Sequence, residues 1–197
     1  MEALGGRLTR VNVPVETPRL LLRLPQLSDV ATVVRELNDP KVFRPLIARH
    51  AHYTRAEEID WVKSSRRAAR AGEKLNLAIT LRETGALVGG IGLEIRDWDN
   101  GHGWIGYWLA KQHWHRGYAS EAASAVCGIA FRRLRLHRID ASVFEFNPRS
   151  MRLLRGLGFE AEGKRRDILF RGRRWHDEVV FGLLAKEFRP SLAPGPP

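Results

Sequence analysis

Apolar residues first cluster in RLLLRL (Arg19–Leu24), which reads as a short strand after an N-terminal arm, residues 1–16, of little periodicity. PQLSDVATVVRELND follows with helical period that ends near Asn38, and Ser28 or Asp29 is placed to cap it. After a loop containing Pro, Lys and Arg, YTRAEEIDWVKSSRRAARAG predicts a second helix; Thr54 and Glu57 form a capping box at its start and Gly72 supplies its stop. LNLAITLR and LVGGIGLEIRDW are strand-like runs joined by the turn ETGA, the pattern of a hairpin. DNGHG is a further turn, GWIGYWLA (Gly103–Ala110) a further strand, and Gly117 to about Leu134 returns to helical period. HRIDASVFEF alternates, with Ile139, Ala141 and Val143 on one face, and NPRSMRLLRGLGF predicts a short helix ended by Gly156 or Gly158. ILF and EVVFGLLA close the pattern as strands around the turn RGRRW, and PSLAPGPP, residues 190–197, is expected to be a disordered tail.

The resulting order is β-α-α-β-β-β-α-β-α-β-β, an α+β layout around a mixed central sheet of about seven strands. Two of its helices follow strands directly, so their N-termini should open at one edge of the sheet and present anion-binding amides there.

Composition narrows the class. The 197 residues fit one domain, 1–197, and 44% apolar with 9% aromatic content describes a globular chain. A net charge of +11, carried mostly by arginine, suits nucleic acid, a phosphorylated cofactor or a partner such as the ribosome, and equally a solvated surface. Cys127 is the single cysteine and sits on the apolar side of a predicted helix, so no disulfide framework or cysteine metal site is expected. The seven histidines form no HExxH, and His113 and His115 flank Trp114 in diverging directions, so no metal is expected. No apolar run approaches the roughly 20 residues that span a bilayer, and the N-terminus lacks a signal-peptide core, so a cytoplasmic setting and no membrane partner are expected.

The stretch WHRGYASEA (residues 114–122) carries the most specific chemistry. A helix N-terminus leaves several N–H groups unpaired and bears partial positive charge. Gly117 permits close backbone approach, Ala119 and Ser120 keep the next positions small, and Arg116 adds a full charge. These features suit a pyrophosphate, although the pattern is neither GxxxxGK[ST] nor GxGxxG, and a plain turn into a helix accounts for it equally.

GYWLAKQHWHRGYASEA resembles motif A of the GNAT superfamily of acyl-CoA-dependent N-acetyltransferases, and the whole chain is most similar to the branch containing the Rim-type ribosomal-protein N-terminal acetyltransferases. The likeness runs from Thr17 to about Phe188: RLLLR resembles the family's first strand, LVGGIGL its third, and NPRSMRLLRGLGFEAEG its second CoA-side motif. Trp114 stands where the family pattern Q/R-x-x-G-x-G/A has Gln or Arg. The resemblance implies a GNAT fold, acetyl-CoA as cosubstrate and backbone amides from about His115 through Arg116, Gly117, Tyr118 and Ala119 to Ser120 holding its pyrophosphate. It further implies that Leu109 and Ala110 pair with the pantetheine arm, that Asn147 bonds that arm, and that Ser150 lies near the sulfur as a proton donor. Asn147, Pro148 and Ser150 also suit a helix cap, and the two roles are compatible.

Acetyl transfer requires a neutral amine, and an α-amine has a pKa of about 8. Glu94, on the strand that borders the acceptor cleft in relatives, is the first candidate for the base; Asp167 is the reserve, and a water-mediated route is the remaining alternative. Trp98 is the tryptophan expected at the acceptor mouth. The acceptor is expected to be a protein N-terminal α-amine, of ribosomal-protein type, attacked directly in a ternary complex. Two other readings stay open: a small amine such as a polyamine, amino acid or antibiotic, held by Glu94, Asp97 and Asp99, and a basic RNA- or ribosome-binding module around Arg132, Arg133, Arg135 and Arg138. The oligomeric state is open between a monomer and a homodimer.

Overall fold

The computed structural model describes residues 8, 11–46 and 52–190. Val15–Glu16 (β1) and Leu20–Arg23 (β2) pair antiparallel at one edge of an eight-stranded sheet. A single turn at Leu27–Asp29 leads into α1 (Val30–Leu37), the one-turn helix α2 (Pro40–Phe43) and α3 (Arg55–Ala71). The Thr54–Glu57 capping box forms reciprocally: the Glu57 N–H donates to Thr54 Oγ1 at 3.3 Å and the Thr54 N–H to Glu57 Oε2 at 2.9 Å. Gly72, at φ 75°, ends α3.

The expected hairpin follows as β3 (Lys74–Leu81) and β4 (Leu87–Asp97), then β5 (His102–Leu109), α4 (Tyr118–Gly128), β6 (Arg138–Phe144), α5 (Pro148–Gly156), β7 (Glu160–Arg171) and β8 (Arg174–Leu184). The strand order is β1-β2-β3-β4-β5-β6-β8-β7, and only β5 and β6 run parallel.

Two-residue periodicity sorts β3 between two faces. Leu75, Leu77 and Ile79 join the main core with Ala122, Ala123, Val126 and Cys127 of α4. Asn76 faces α3, where its amide donates to Ser65 Oγ at 2.9 Å. The sheet is thus covered by α4 on one side and α3 on the other, and nearly all of β3 is buried. On the α3 side the sheet carries glycines that indole rings cover: a Cβ at Gly90 would come within 2.6 Å of the Trp108 indole nitrogen, and one at Gly106 within 2.6 Å of the Trp104 ring. Gly106→Val therefore should displace Trp104 or unfold the strand, lowering Tm by several degrees for about 2 kcal/mol of overpacking; a thermal melt equal to the wild type would count against this packing.

Five features depart from the sequence pattern. The sheet has eight strands instead of about seven, because a two-residue strand such as β1 is too short to show a period. The expected arm is part of the fold, with Leu8 and Val11 buried in the core. Its other residues before Val11, and most of the expected tail, lie outside the described residues. Residues 40–43 form a helical turn with Pro40 at its first position and Asp39 capping the Lys41 N–H at 2.7 Å. The helix predicted to Leu134 ends at Gly128 and continues as one wider turn, Ile129–Arg133. Finally, β7 extends far beyond ILF; it is an edge strand exposed along nearly its whole length, so no apolar alternation marks it.

Candidate active site

β5 and β6 pair at only three positions, His102–Trp104 against Arg138–Asp140, and then diverge. The Ala110 N–H donates to the Val88 carbonyl at 2.9 Å, so the ladder alternation turns the N–H groups of Leu109, Tyr107 and Ile105 to the opposite edge, toward the opening. A cleft of about 1500 Å³ surrounds this opening, with WHRGYAS at one end and α3 at the other.

At the first end, Gly117 adopts φ 75° as the N-cap of α4, and His115 is also left-handed at φ 61°. The first internal bond of α4 runs from the Glu121 N–H to the Gly117 carbonyl at 3.0 Å, and no side chain caps the helix. Among the described residues, the amides of 115–120 therefore converge without an internal acceptor. The neighbouring loop is braced: Trp114 Nε1 donates to the Leu109 carbonyl at 2.9 Å, and the Arg149 guanidinium stacks 5.1 Å from the Trp114 ring centroid. Convergent donors, a helix N-terminus and an unpaired strand edge fit a pyrophosphate followed by an extended amide-bearing arm.

Arg19, which sequence reasoning did not single out, holds this loop. Its Nε donates to Glu121 Oε2 at 2.7 Å, its Nη1 to the Arg116 carbonyl at 2.9 Å, and its guanidinium lies 4.8 Å from the Tyr118 ring centroid. Burial alone would lift the Glu121 carboxyl, but the hydrogen bonds from Thr17 and Arg19 outweigh it and hold the group below the usual glutamate value. A depressed carboxyl stabilises the fold above its unfolded value of about 4.3, and that contribution is lost as pH falls through the lower folded value. Glu121→Gln should accordingly lower Tm at pH 7 and flatten the acid limb of a Tm-against-pH curve; an unchanged acid limb would show that the tie contributes nothing.

In the opening, Asn147 caps α5 through its side-chain oxygen, which accepts the Ser150 N–H at 3.2 Å. The Ser150 hydroxyl is thereby left for another partner, the Tyr107 hydroxyl at 2.6 Å. Burial raises the Tyr107 phenol far above its ordinary value, and the Ser150 bond offsets this only in part. The pair is thus a neutral double hydroxyl. Tyr107, which the sequence offered only as a strand residue, belongs to the site. Cys127 is fully buried, and burial pushes its thiol up to about 12, so it is not available as a nucleophile.

The remaining expectations are redistributed. Ala110 is 1% exposed with its N–H bonded to Val88, so the strand edge at the opening belongs to Leu109. Glu94 is not brought to the cleft: it is ion-paired with Lys74 at 3.1 Å and lies 3.8 Å from Arg96 near the far end of β4. Asp167 lies on the exposed edge strand β7, outside the cleft, where its N–H donates to Asp177. Asp97 is half-buried and accepts hydrogen bonds from Asn100 in the turn, so it builds no acidic pocket with Glu94. Trp98 packs against the main core, while Trp61, Trp104, Trp108 and Trp114 line the cleft. Of the basic group, Arg138 is ion-paired with both Glu162 and Asp140.

Of the described acidic groups at the α3 end of the cleft, Glu58 is the one with an unpartnered buried oxygen. It is 4% exposed, and burial, with Asp29 nearby, pushes its carboxyl up to about 7. Its helical position among polar neighbours gave no sequence signal, because burial decides its chemistry.

Residues 19–160 match the model of the Acetyltransferase (GNAT) domain. The uncharacterized N-acetyltransferase p20 of Bacillus licheniformis is 32% identical over 173 residues, which cover 87% of this chain and 96% of that protein. The ribosomal protein uS5-alanine N-acetyltransferase of Escherichia coli (strain K12) is 33% identical over 87 residues, less than half of either chain at 44% and 45%. The crystal structure of spermidine N-acetyltransferase from Vibrio cholerae in complex with CoA and spermine superposes with a TM-score of 0.77, over 87% of this chain and 98% of that one. At 18% identity, that last likeness concerns the fold.

Proposed function

The chain belongs to the GNAT acetyltransferases, and from that membership we propose that it acetylates a protein N-terminal α-amine, of the ribosomal-protein type, using acetyl-CoA. The observation that carries the reading is the parted β5–β6 edge with an anion cradle at its mouth, because an extended thioester with a pyrophosphate at its head needs both.

When bound, acetyl-CoA supplies an activated acetyl thioester. The residues of this chain then have separable tasks. The amides of His115–Ser120, with Arg116, hold the pyrophosphate. The Leu109 edge and Asn147 align the pantetheine arm, and an amide at the end of β5 polarises the acyl carbonyl. The Ser150–Tyr107 hydroxyl pair delivers a proton at sulfur as the thiol leaves. Transfer is direct, since the sole cysteine is a buried thiol.

Charge in the cleft supports a singly charged acceptor. Asp29 is already held bidentately by Arg23, at 2.8 and 2.6 Å, and Glu57 caps α3. Lys41, Arg44, Lys74, Arg149 and Arg152 line the same cleft and would repel a polycation. The relative that is a ribosomal protein uS5-alanine N-acetyltransferase is consistent with this. The second reading, a polyamine acceptor, rests on the fold shared with the spermidine enzyme.

Thiol release with acetyl-CoA against peptides, polyamines and free amino acids tests the reading. We expect kcat/KM for a peptide N-terminus to exceed that for spermidine by at least about tenfold. The reverse order would replace this acceptor with a polyamine, and no release with any amine would overturn the assignment of activity.

A further inference from the structure

The described residues contain one buried carboxyl with no hydrogen bond or ion pair of its own that also faces the cleft. Glu58 Oε1 is inaccessible to solvent and lacks any partner among the described residues, yet the side chain lines the cleft. A buried, unpartnered carboxyl destabilises a fold. Such a group persists where the site uses it.

Its position relative to the hydroxyl pair is the second observation. Glu58 projects from α3 on the face of the sheet that carries Asn76, Gly92 and Gly106, which align across β3, β4 and β5. The Asn76 amide covers Gly92 and the Trp104 ring covers Gly106, and these two side chains line the cleft that runs from Glu58 on α3 to Tyr107 and Ser150 at the parted strands. Tyr107 lies on the opposite face of β5, with its neighbour Ile105 in the main core, and meets Ser150 in the opening. A proton acceptor and a proton donor thus stand on opposite sides of the gap in which an acyl group would lie.

We propose that Glu58 is the proton acceptor for the incoming amine, and that this end of the cleft is the acceptor's ammonium subsite. The inference rests on the acetyltransferase reading above. The protonated amine first pairs with the Glu58 carboxylate and passes one proton to it. The amine nitrogen then forms its bond to the acetyl carbon as the carbon–sulfur bond breaks, and the sulfur takes its proton from the Ser150–Tyr107 pair. The acylated nitrogen sheds its surplus proton and keeps the single amide N–H; of that proton and the one held by Glu58, one restores the Ser150–Tyr107 pair through solvent and the other is released, one proton per turnover. The other charged or titratable groups at this end are Asp29, Glu57, Tyr53, Lys74, Lys41 and Arg44. Both Asp29 oxygens are engaged by Arg23, so Asp29 does not replace Glu58, and Lys74 is paired with Glu94. An acceptor near pH 7 is matched to an α-amine of about 8 more closely than to a lysine or polyamine amine near 10.4.

The test uses the full-length protein and Glu58→Gln, which keeps shape and removes the titration. With a peptide N-terminus, kcat/KM should fall by about 100-fold at pH 7, lose its inflection near pH 7, and recover toward the wild type above the amine's own pKa. Acetyl-CoA affinity by calorimetry should stay within about threefold. Independently of turnover, the Glu58 carboxyl carbon of the labelled wild-type protein should titrate near 7 by NMR and shift when peptide is added. A Glu58→Gln profile that matches the wild type, or a carboxyl that titrates near 4.5 and ignores peptide, overturns the proposal while leaving the acetyltransferase reading in place. Loss of thiol release by the wild type with every amine overturns both.

Discussion

Gly117→Glu should raise the Kd for acetyl-CoA by at least about 100-fold, a loss near 3 kcal/mol. The residue is the N-cap of α4 at φ 75°, where an L side chain costs about 1–2 kcal/mol of backbone strain. The new carboxylate would also stand among amides that have no internal acceptor, occupying them and repelling phosphate. Strain and charge must be separated, and Ala119→Glu does so. Ala119 lies inside the helix and is not left-handed, so its variant adds bulk and charge at the same amides without the backbone strain. Calorimetric titration with acetyl-CoA, with circular dichroism to verify folding, reads both variants. Unchanged affinity in either folded variant would remove the cradle from the site.

The uncapped helix start at Gly117 was legible because its signal is local. A glycine, an arginine and consecutive small residues before a helical period mark a helix start with unpaired amides, and it is the resemblance to the GNAT motif that singles out a pyrophosphate there. The Thr54–Glu57 box and the Asn147 cap were legible for the same reason, since each links residues three apart. What the sequence hid depends on distance along the chain. Arg19 reaches Glu121 and Arg116 across about a hundred positions, and Tyr107 meets Ser150 from a strand to a helix. Glu58 is the sharpest case. As one of two adjacent glutamates at the start of a polar helix it reads as a solvated residue, and its value lies in being turned under the helix toward a cleft that no local pattern describes. Glu94 lies apart from the cleft for the complementary reason: its strand was correctly located, but the neighbouring β3 brings Lys74 beside it.

Ser150→Ala should lower kcat by about 100-fold while acetyl-CoA affinity changes by less than about threefold. The prediction is clean because the helix cap belongs to Asn147: its oxygen accepts the Ser150 backbone N–H, which alanine retains. The variant therefore removes the hydroxyl without removing the cap. It leaves the Tyr107 hydroxyl without its partner at 2.6 Å, so some loss of stability, about 1–2 kcal/mol, should accompany the loss of rate. Tyr107→Phe removes the other half of the pair. If the two hydroxyls act as one donor, each single variant and the double variant lose nearly the same rate, and the double-mutant cycle is strongly non-additive. If Ser150 donates alone, Tyr107→Phe costs little. Because burial holds the Tyr107 phenol far above its ordinary value, the pair stays protonated through the accessible range. The wild-type rate should then show no alkaline fall below about pH 10 attributable to this donor. Equal losses in kcat and in cofactor affinity for Ser150→Ala would instead make Ser150 a binding residue and move the proton donor elsewhere.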